Sequence, residues 1–241
     1  MSGRRGANGA SRTSGEASPI DWLPRRSLPA RMSAADFLLS PEVQKLLQAF
    51  FSEPMNPFSA EALSKKSKLS AADVTTTLEH LTKSGILNRH SAGKDETDAF
   101  SANTSFVFYP ELRRIALKSF AAAEPIRQML RGKFKASVVR AFLLGEDGDG
   151  NVELLVVHGE LVPNQSDMSA ACQRLSTSLG RHLNVHVISH YKYASLTPRD
   201  ALGAKLAGPA TFEIIGQGDT KASFRVGAQA FWRLLGRGWP H

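Results

Sequence analysis

A chain of 241 residues with 42% apolar and 22% charged residues has the composition of a folded protein, long enough for two domains. No apolar run approaches the roughly 18 residues that a membrane helix needs. The N-terminus lacks the apolar core of a secretion signal, and a lone cysteine, Cys172, excludes an internal disulfide. A cytoplasmic location follows as the expectation, with no membrane partner and no structural zinc site.

The net charge of +8 is unevenly spread. Residues 1–35 hold six arginines against two acids, whereas residues 36–109 hold seven Lys/Arg against nine acids. The positive field therefore falls on the tails and the second half, where it can hold phosphates without sequence preference.

Residues 1–35 are rich in Gly, Ser, Arg and Pro without a helical or strand period, and are expected to be a disordered basic tail. From Asp36 the pattern turns helical. Ser40 is an N-cap with Pro41 at the first helical position, and Val43, Leu46, Leu47 and Phe50 share one face. Pro54 and Pro57 end that helix. Ser59 caps a short second helix through Ala62 and Leu63 that ends near Ser67. Ser70 opens a third, with Asp73 at N3, an apolar face of Val74, Leu78 and Leu81, and Gly85 as its stop. Ile86–Arg89 reads as a strand, and Gly93, Lys94, Asp95 and Asp98 as a polar turn. Ser105–Tyr109 reads as the returning strand. Three helices and a hairpin in that order make a winged helix-turn-helix.

The stretch SAEALSKKSKLSAADVTTTLEHLTKSGILNRH resembles the winged helix of ArsR-like transcriptional regulators. The resemblance implies that the third helix enters a DNA major groove with the surface opposite Val74, Leu78 and Leu81. Thr76, Thr77, His80 and Lys83 are then the candidate contacts on that helix, with Asp73 beside them, and Arg89, His90 and Lys94 reach the backbone from the wing. Asp73 and Glu79 on the key helix are unfavourable for phosphate, and winged helices also serve as protein-docking modules.

Pro110–Met129 reads as one long linking helix, kinked or restarted at Pro125. An alternating pattern follows: strand Ser137–Leu144, an acidic turn at Gly145–Gly150, strand Val152–Val157, helix Met168–Gly180, strand Leu183–Ile188, helix Arg199–Leu206 and a closing apolar segment Phe212–Ile215. The fold class expected is α+β: a winged helix-turn-helix over 36–109, a linking helix over 110–130, and a small mixed α/β domain over 131–216. The segment 217–241 is an aromatic-basic tail, with Phe231, Trp232, Leu234 and Leu235 beside Arg225, Arg233 and Arg237; packing onto the domain and display of a patch for a partner are both open.

The second half, with the YPELRRIALKSF helix at Tyr109–Phe120, AFLLG at Ala141–Gly145, LLVV at Leu154–Val157, LGRHLNVHVIS at Leu179–Ser189 and FEIIG at Phe212–Gly216, resembles a minimal, polymerase-beta-like nucleotidyltransferase domain fused to an ArsR-like winged helix. Active members of that family carry Gly-Ser after the first strand and Asp-x-Asp at the second, which cradle phosphates and hold the divalent metals of in-line attack. Here the corresponding positions are Gly145, Glu146, Asn151 and Glu153, and the next strand offers Asn184 or His186 where a third acid is implied. The resemblance therefore implies a domain without a catalytic site and without a cofactor, with Mg²⁺ needed only if transferase activity survives.

Asp147, Asp149 and Glu153 could form a makeshift cation site, but acids in a Gly-rich turn fit a solvated hairpin better. His186 reads as structural, Cys172 as a core residue, and Asp200 and Glu213 have no assignable partner. The function implied is a transcriptional regulator that binds double-stranded DNA as a homodimer and uses its second domain for sensing or assembly. Two alternatives stay open: a nucleotidyltransferase acting on a protein or small molecule, and an antitoxin-like or scaffold module that binds a protein through residues 131–241.

Overall fold

The computed structural model describes residues 33–91, 97–147 and 149–222. It is a mixed α+β structure with eight helices and seven strands among those residues. Residues 1–32 of the expected basic tail and most of the aromatic-basic tail, with Arg225, Phe231, Trp232, Arg233, Leu234, Leu235 and Arg237, lie outside the described residues, as does the wing residue Lys94. Residues 33–35, also assigned to the tail, are instead ordered, with Ala35 buried in the N-terminal core.

Three helices open the described chain: α1 (Pro41–Ser52), α2 (Ala60–Ser67) and α3 (Ala71–Lys83). Each starts at a serine whose hydroxyl accepts a hydrogen bond from the third residue on. Ser40 takes Val43 N–H at 3.4 Å, Ser59 takes Ala62 N–H at 3.2 Å and Ser70 takes Asp73 N–H at 3.1 Å. Each cap satisfies one of the donors that a helix start leaves orphaned. Lys68 in the left-handed conformation ends α2, and three residues later α3 begins, the tight turn of a helix-turn-helix. Gly85, at φ +75°, releases the chain from α3 as expected.

A three-stranded antiparallel sheet follows, in the order β1 (Phe58–Ser59), β3 (Ala99–Ala102), β2 (Leu87–His90). The returning strand is not Ser105–Tyr109 as the pattern suggested. Leu87 pairs with Ala102 and His90 with Ala99, so the strand ends at Ala102, before the expected segment begins. Asn103 then closes the corner, its side-chain amide donating to Gly85 O (2.8 Å) and its carbonyl accepting from Ser105 N–H (3.2 Å). Pro110 fits the first turn of a helix, and Tyr109 opens one. Of residues 105–109 only Tyr109 therefore enters α4; Phe106, Val107 and Phe108 form the turn that leads into it, not a strand.

The linking segment is two helices, α4 (Tyr109–Leu117) and α5 (Ala123–Lys133), where one was expected. Around their junction Ala116, Phe120 and Ala121 pack into the N-terminal core, and Leu117, Ala122 and Ala123 into the C-terminal core. Facing two cores in succession requires a turn of the chain that one straight helix cannot make. Pro125 sits in the first turn of α5, where its missing N–H costs no helical bond.

The second sheet runs β6 (Leu183–Ser189), β5 (Val152–His158), β4 (Val138–Glu146), β7 (Phe212–Ile215). β4 is antiparallel to β5 and to β7, whereas β5 and β6 are parallel and joined through α6 (Gln165–Leu179). Helices α5 and α6 cover one face, over a core of Val138, Ala141, Leu143, Leu154 and Val156. On the other face Phe142, Leu144, Leu155 and Val157 pack under Tyr193 of α7 (His190–Ala194) and Leu202 and Leu206 of α8 (Ala201–Leu206). A sheet covered on both faces explains why β4 and β5 read as unbroken apolar runs. The short α7 and two-residue β1 were not anticipated.

Leu154 lies at the centre of β5 with none of its surface exposed. Leu154→Ala should lower unfolding free energy by about 2–5 kcal/mol in urea denaturation.

Candidate functional site

Helix α3 buries Val74, Leu78 and Leu81 and turns Thr76, His80 and Lys83 outward. Spacings of four and three place those three side chains on one exposed face. Thr77 is a correction to the sequence expectation. It is only 9% exposed, because it stands three residues after Val74 and four before Leu81, on the inward stripe. Asp73 is engaged locally: Ser70 Oγ donates to its carboxylate at 2.7 Å.

The hairpin lies against α3 across a groove of about 300 Å³, lined by Thr75, Glu79, Thr82 and Lys83 of the helix and by Arg89, Asp98 and Phe100 of the hairpin. Arg89 donates through Nε to Asp98 at 2.8 Å and through Nη2 to the same oxygen. His90 Nε2 is hydrogen-bonded to Ser101 Oγ at 2.8 Å. Both wing residues are exposed, but each holds an intrachain partner.

The four positions singled out at the end of β4 and start of β5 come together at one corner, where each has a structural partner. Gly145 has φ +122°, a conformation that L side chains rarely adopt, and a Cβ there would meet Ala210 Cβ at 3.0 Å. Glu146 turns inward between two guanidinium groups. It accepts from Arg113 Nε (2.9 Å) and Nη2 (3.2 Å), and from Arg181 Nη1. Arg181 Nη2 also donates to the carbonyl of Phe51, near the end of α1. Burial, reinforced by the like charge of Arg113, pulls the Arg181 guanidinium down to about 10, so it remains charged at neutral pH.

Asn151 donates from its backbone and side chain to Asp147, both at 2.9 Å, and Asp149 N–H adds a third bond at 3.0 Å. Those donors, the Asn151 side chain first, hold the Asp147 carboxyl below its usual range. Asp147 thus organises the turn. Glu153 accepts from Lys205 of α8 at 2.5 Å. Among the described residues no three His, Cys, Asp or Glu side chains are grouped to hold a metal ion.

Arg113 and Arg181 were missed as functional candidates, although they stand inside the ELRRI and LGRHL segments. Nothing in their spacing reveals a shared partner, since Arg113 lies 33 residues before Glu146 and Arg181 35 after it. Asp200 and Glu213, unassigned from sequence, have partners. Asp200 accepts from Thr197 N–H (2.8 Å) and Oγ1 (3.0 Å), and Glu213 from Arg140 Nε (2.7 Å). Cys172 stands on the buried face of α6, in the core, and burial pushes its thiol up to about 11. His186 is exposed on β6.

Among the described residues no helix is long and apolar enough to cross a membrane. No family model and no curated protein matches this sequence. Among solved structures, the ferric uptake regulator (Fur) of Vibrio cholerae aligns at 14% identity over 63% of this chain and 87% of that one, with a TM-score of 0.25. Its structure is described as revealing a rearrangement of DNA-binding domains. A TM-score that low carries no inference about this chain.

Glu146→Gln should leave two guanidinium groups sharing an uncharged acceptor and lower stability by about 3 kcal/mol in chemical denaturation. In the native protein Cys172 should react negligibly with a thiol reagent at pH 8, and stoichiometrically once the chain is unfolded.

Proposed function

We propose that this chain is a DNA-binding regulator, with a winged helix over residues 36–109 and a second domain over 131–216 that serves in assembly or sensing. The observation that carries the reading is the exposed face of α3, where Thr76, His80 and Lys83 align beside the hairpin. A helix of 13 residues behind a capped turn is the element that a helix-turn-helix inserts into a major groove. Thr76 and His80 can donate to or accept from base edges, and Lys83 reaches a phosphate. Arg89 and His90 supply backbone contacts from the wing.

The second domain is read as noncatalytic because its corner acids are committed elsewhere. Phosphoryl chemistry needs carboxylates free to hold metal. Glu146 is neutralised by two arginines, Glu153 by Lys205, and Asn151 carries no charge. Recognition of a palindromic operator requires two copies related by a two-fold axis, so the active species is a homodimer.

The test is selection of bound duplexes from a random pool, then salt-titrated affinity measurement. The reading expects an enriched inverted repeat, affinity tighter than the ~10⁻⁶ M limit of nonspecific binding, and a steep salt slope. Thr76→Ala and His80→Ala should each weaken specific binding by about 1–3 kcal/mol, whereas Lys83→Ala should reduce the salt slope by about one. Failure to enrich any sequence would overturn the regulator reading.

A further inference from the structure

We infer that β6 is the dimer seam of this protein, pairing antiparallel with β6 of a second copy to join two four-stranded sheets into one. The inference builds on the dimeric reading above and supplies its interface.

β6 lies at the edge of its sheet and spends only one side of its backbone. All seven residues, from Leu183 opposite Val152 to Ser189 opposite His158, pair in unbroken parallel register with β5. Among the described residues, no backbone hydrogen bond outside that ladder reaches positions 184–188. Edge strands of monomeric proteins are ordinarily blunted by lysine, proline, an inward charge, a bulge or shortness. The sequence LNVHVIS has no Lys, Arg, Asp, Glu or Pro, and its register shows no bulge. The opposite edge contrasts with it, since β7 has only four residues.

The surface around this edge is apolar as well. Val187 is 41% exposed and Tyr191, just beyond the strand, 77%. Leu161 and Val162, which follow β5, are 61% and 69% exposed. Because β5 and β6 are parallel, these residues follow the same end of the sheet.

The occupant that suits this edge is its own copy. A two-fold axis through His186 sets Val185 against the partner's Val187 and Asn184 against the partner's Ile188. His186 meets its own copy at the axis and no Lys, Arg, Asp or Glu stands on the strand, whereas an acidic or basic partner would find no charged complement on it. The same axis would place the two winged helices symmetrically, as a palindromic site demands.

The experiment is sedimentation equilibrium on the full chain with three variants. The native chain should sediment as a dimer. Val187→Lys, at a half-exposed position, should keep its circular dichroism and raise the dimer dissociation constant about 100-fold, because it sets an unpaired ammonium against the partner's Val185 in the seam. His186→Cys should cross-link under mild oxidation. Directly opposed antiparallel residues have Cα atoms about 4.5–5.5 Å apart, within disulfide reach. Cys172 is buried, so it does not compete. Tyr191→Cys should not cross-link, since in this register the two copies of position 191 lie ten residues apart along the seam. A native dimer unaffected by Val187→Lys, or uncrosslinked at 186, overturns the seam and leaves the dimeric regulator standing. A native monomer overturns both.

Discussion

The Glu146 carboxylate, held between Arg113 and Arg181, is the constraint on which the arrangement of this protein depends. Three elements distant in sequence meet there: α4 through Arg113, the end of β4 through Glu146, and the residue after the α6 cap through Arg181. Arg181 extends the contact to a fourth, because it also donates to the Phe51 carbonyl. Two guanidiniums against one carboxylate leave a surplus positive charge in a mostly buried place. The carbonyl end of α1 faces that charge and offsets part of it, as the negative pole of a helix does. Such a cluster adds little net stability compared with an apolar substitute, but it penalises any arrangement that leaves one member unpaired. Its contribution is therefore orientation.

Packing around the cluster enforces the same orientation. Gly180, the left-handed cap of α6, comes so close to α1 that an added Cβ would lie 2.9 Å from Ser52 Cβ. Glu124 of α5 accepts from Ala34 N–H at 2.7 Å, which ties the start of the described chain to the second half. Residues 116–123 divide their side chains between two cores. The three-helix unit α1–α3 is thus joined to the second half at several points at once.

The corner at β4 and β5 shows what residue type alone leaves open. Acids beside glycines fit a solvated hairpin better than a cation site, but the pattern names no partner for any of them. Geometry supplies the partners: Asp147 folds the turn, Glu146 joins the halves and Glu153 anchors α8. Gly145 is retained for its backbone conformation, a requirement independent of any ligand.

Local chemistry in the sequence determined the helices and strands wherever a periodic face met a proper cap. Ser40, Ser59 and Ser70 mark three helix starts, and β4, β5 and β6 were recognisable as apolar runs of strand length. The outward face of α3 was likewise legible, apart from Thr77, which was grouped by its hydroxyl when its spacing from Val74 and Leu81 carried it inward. What only the tertiary structure decided are features set by partners far along the chain. The break between α4 and α5 comes from two cores competing for one segment, the end of β3 from its register with β2, and the pairing of Glu146 from two arginines more than 30 residues away on either side. Periodicity and capping act over one or two helical turns, whereas sheet edges, ion pairs and core boundaries exist only after the chain has closed on itself.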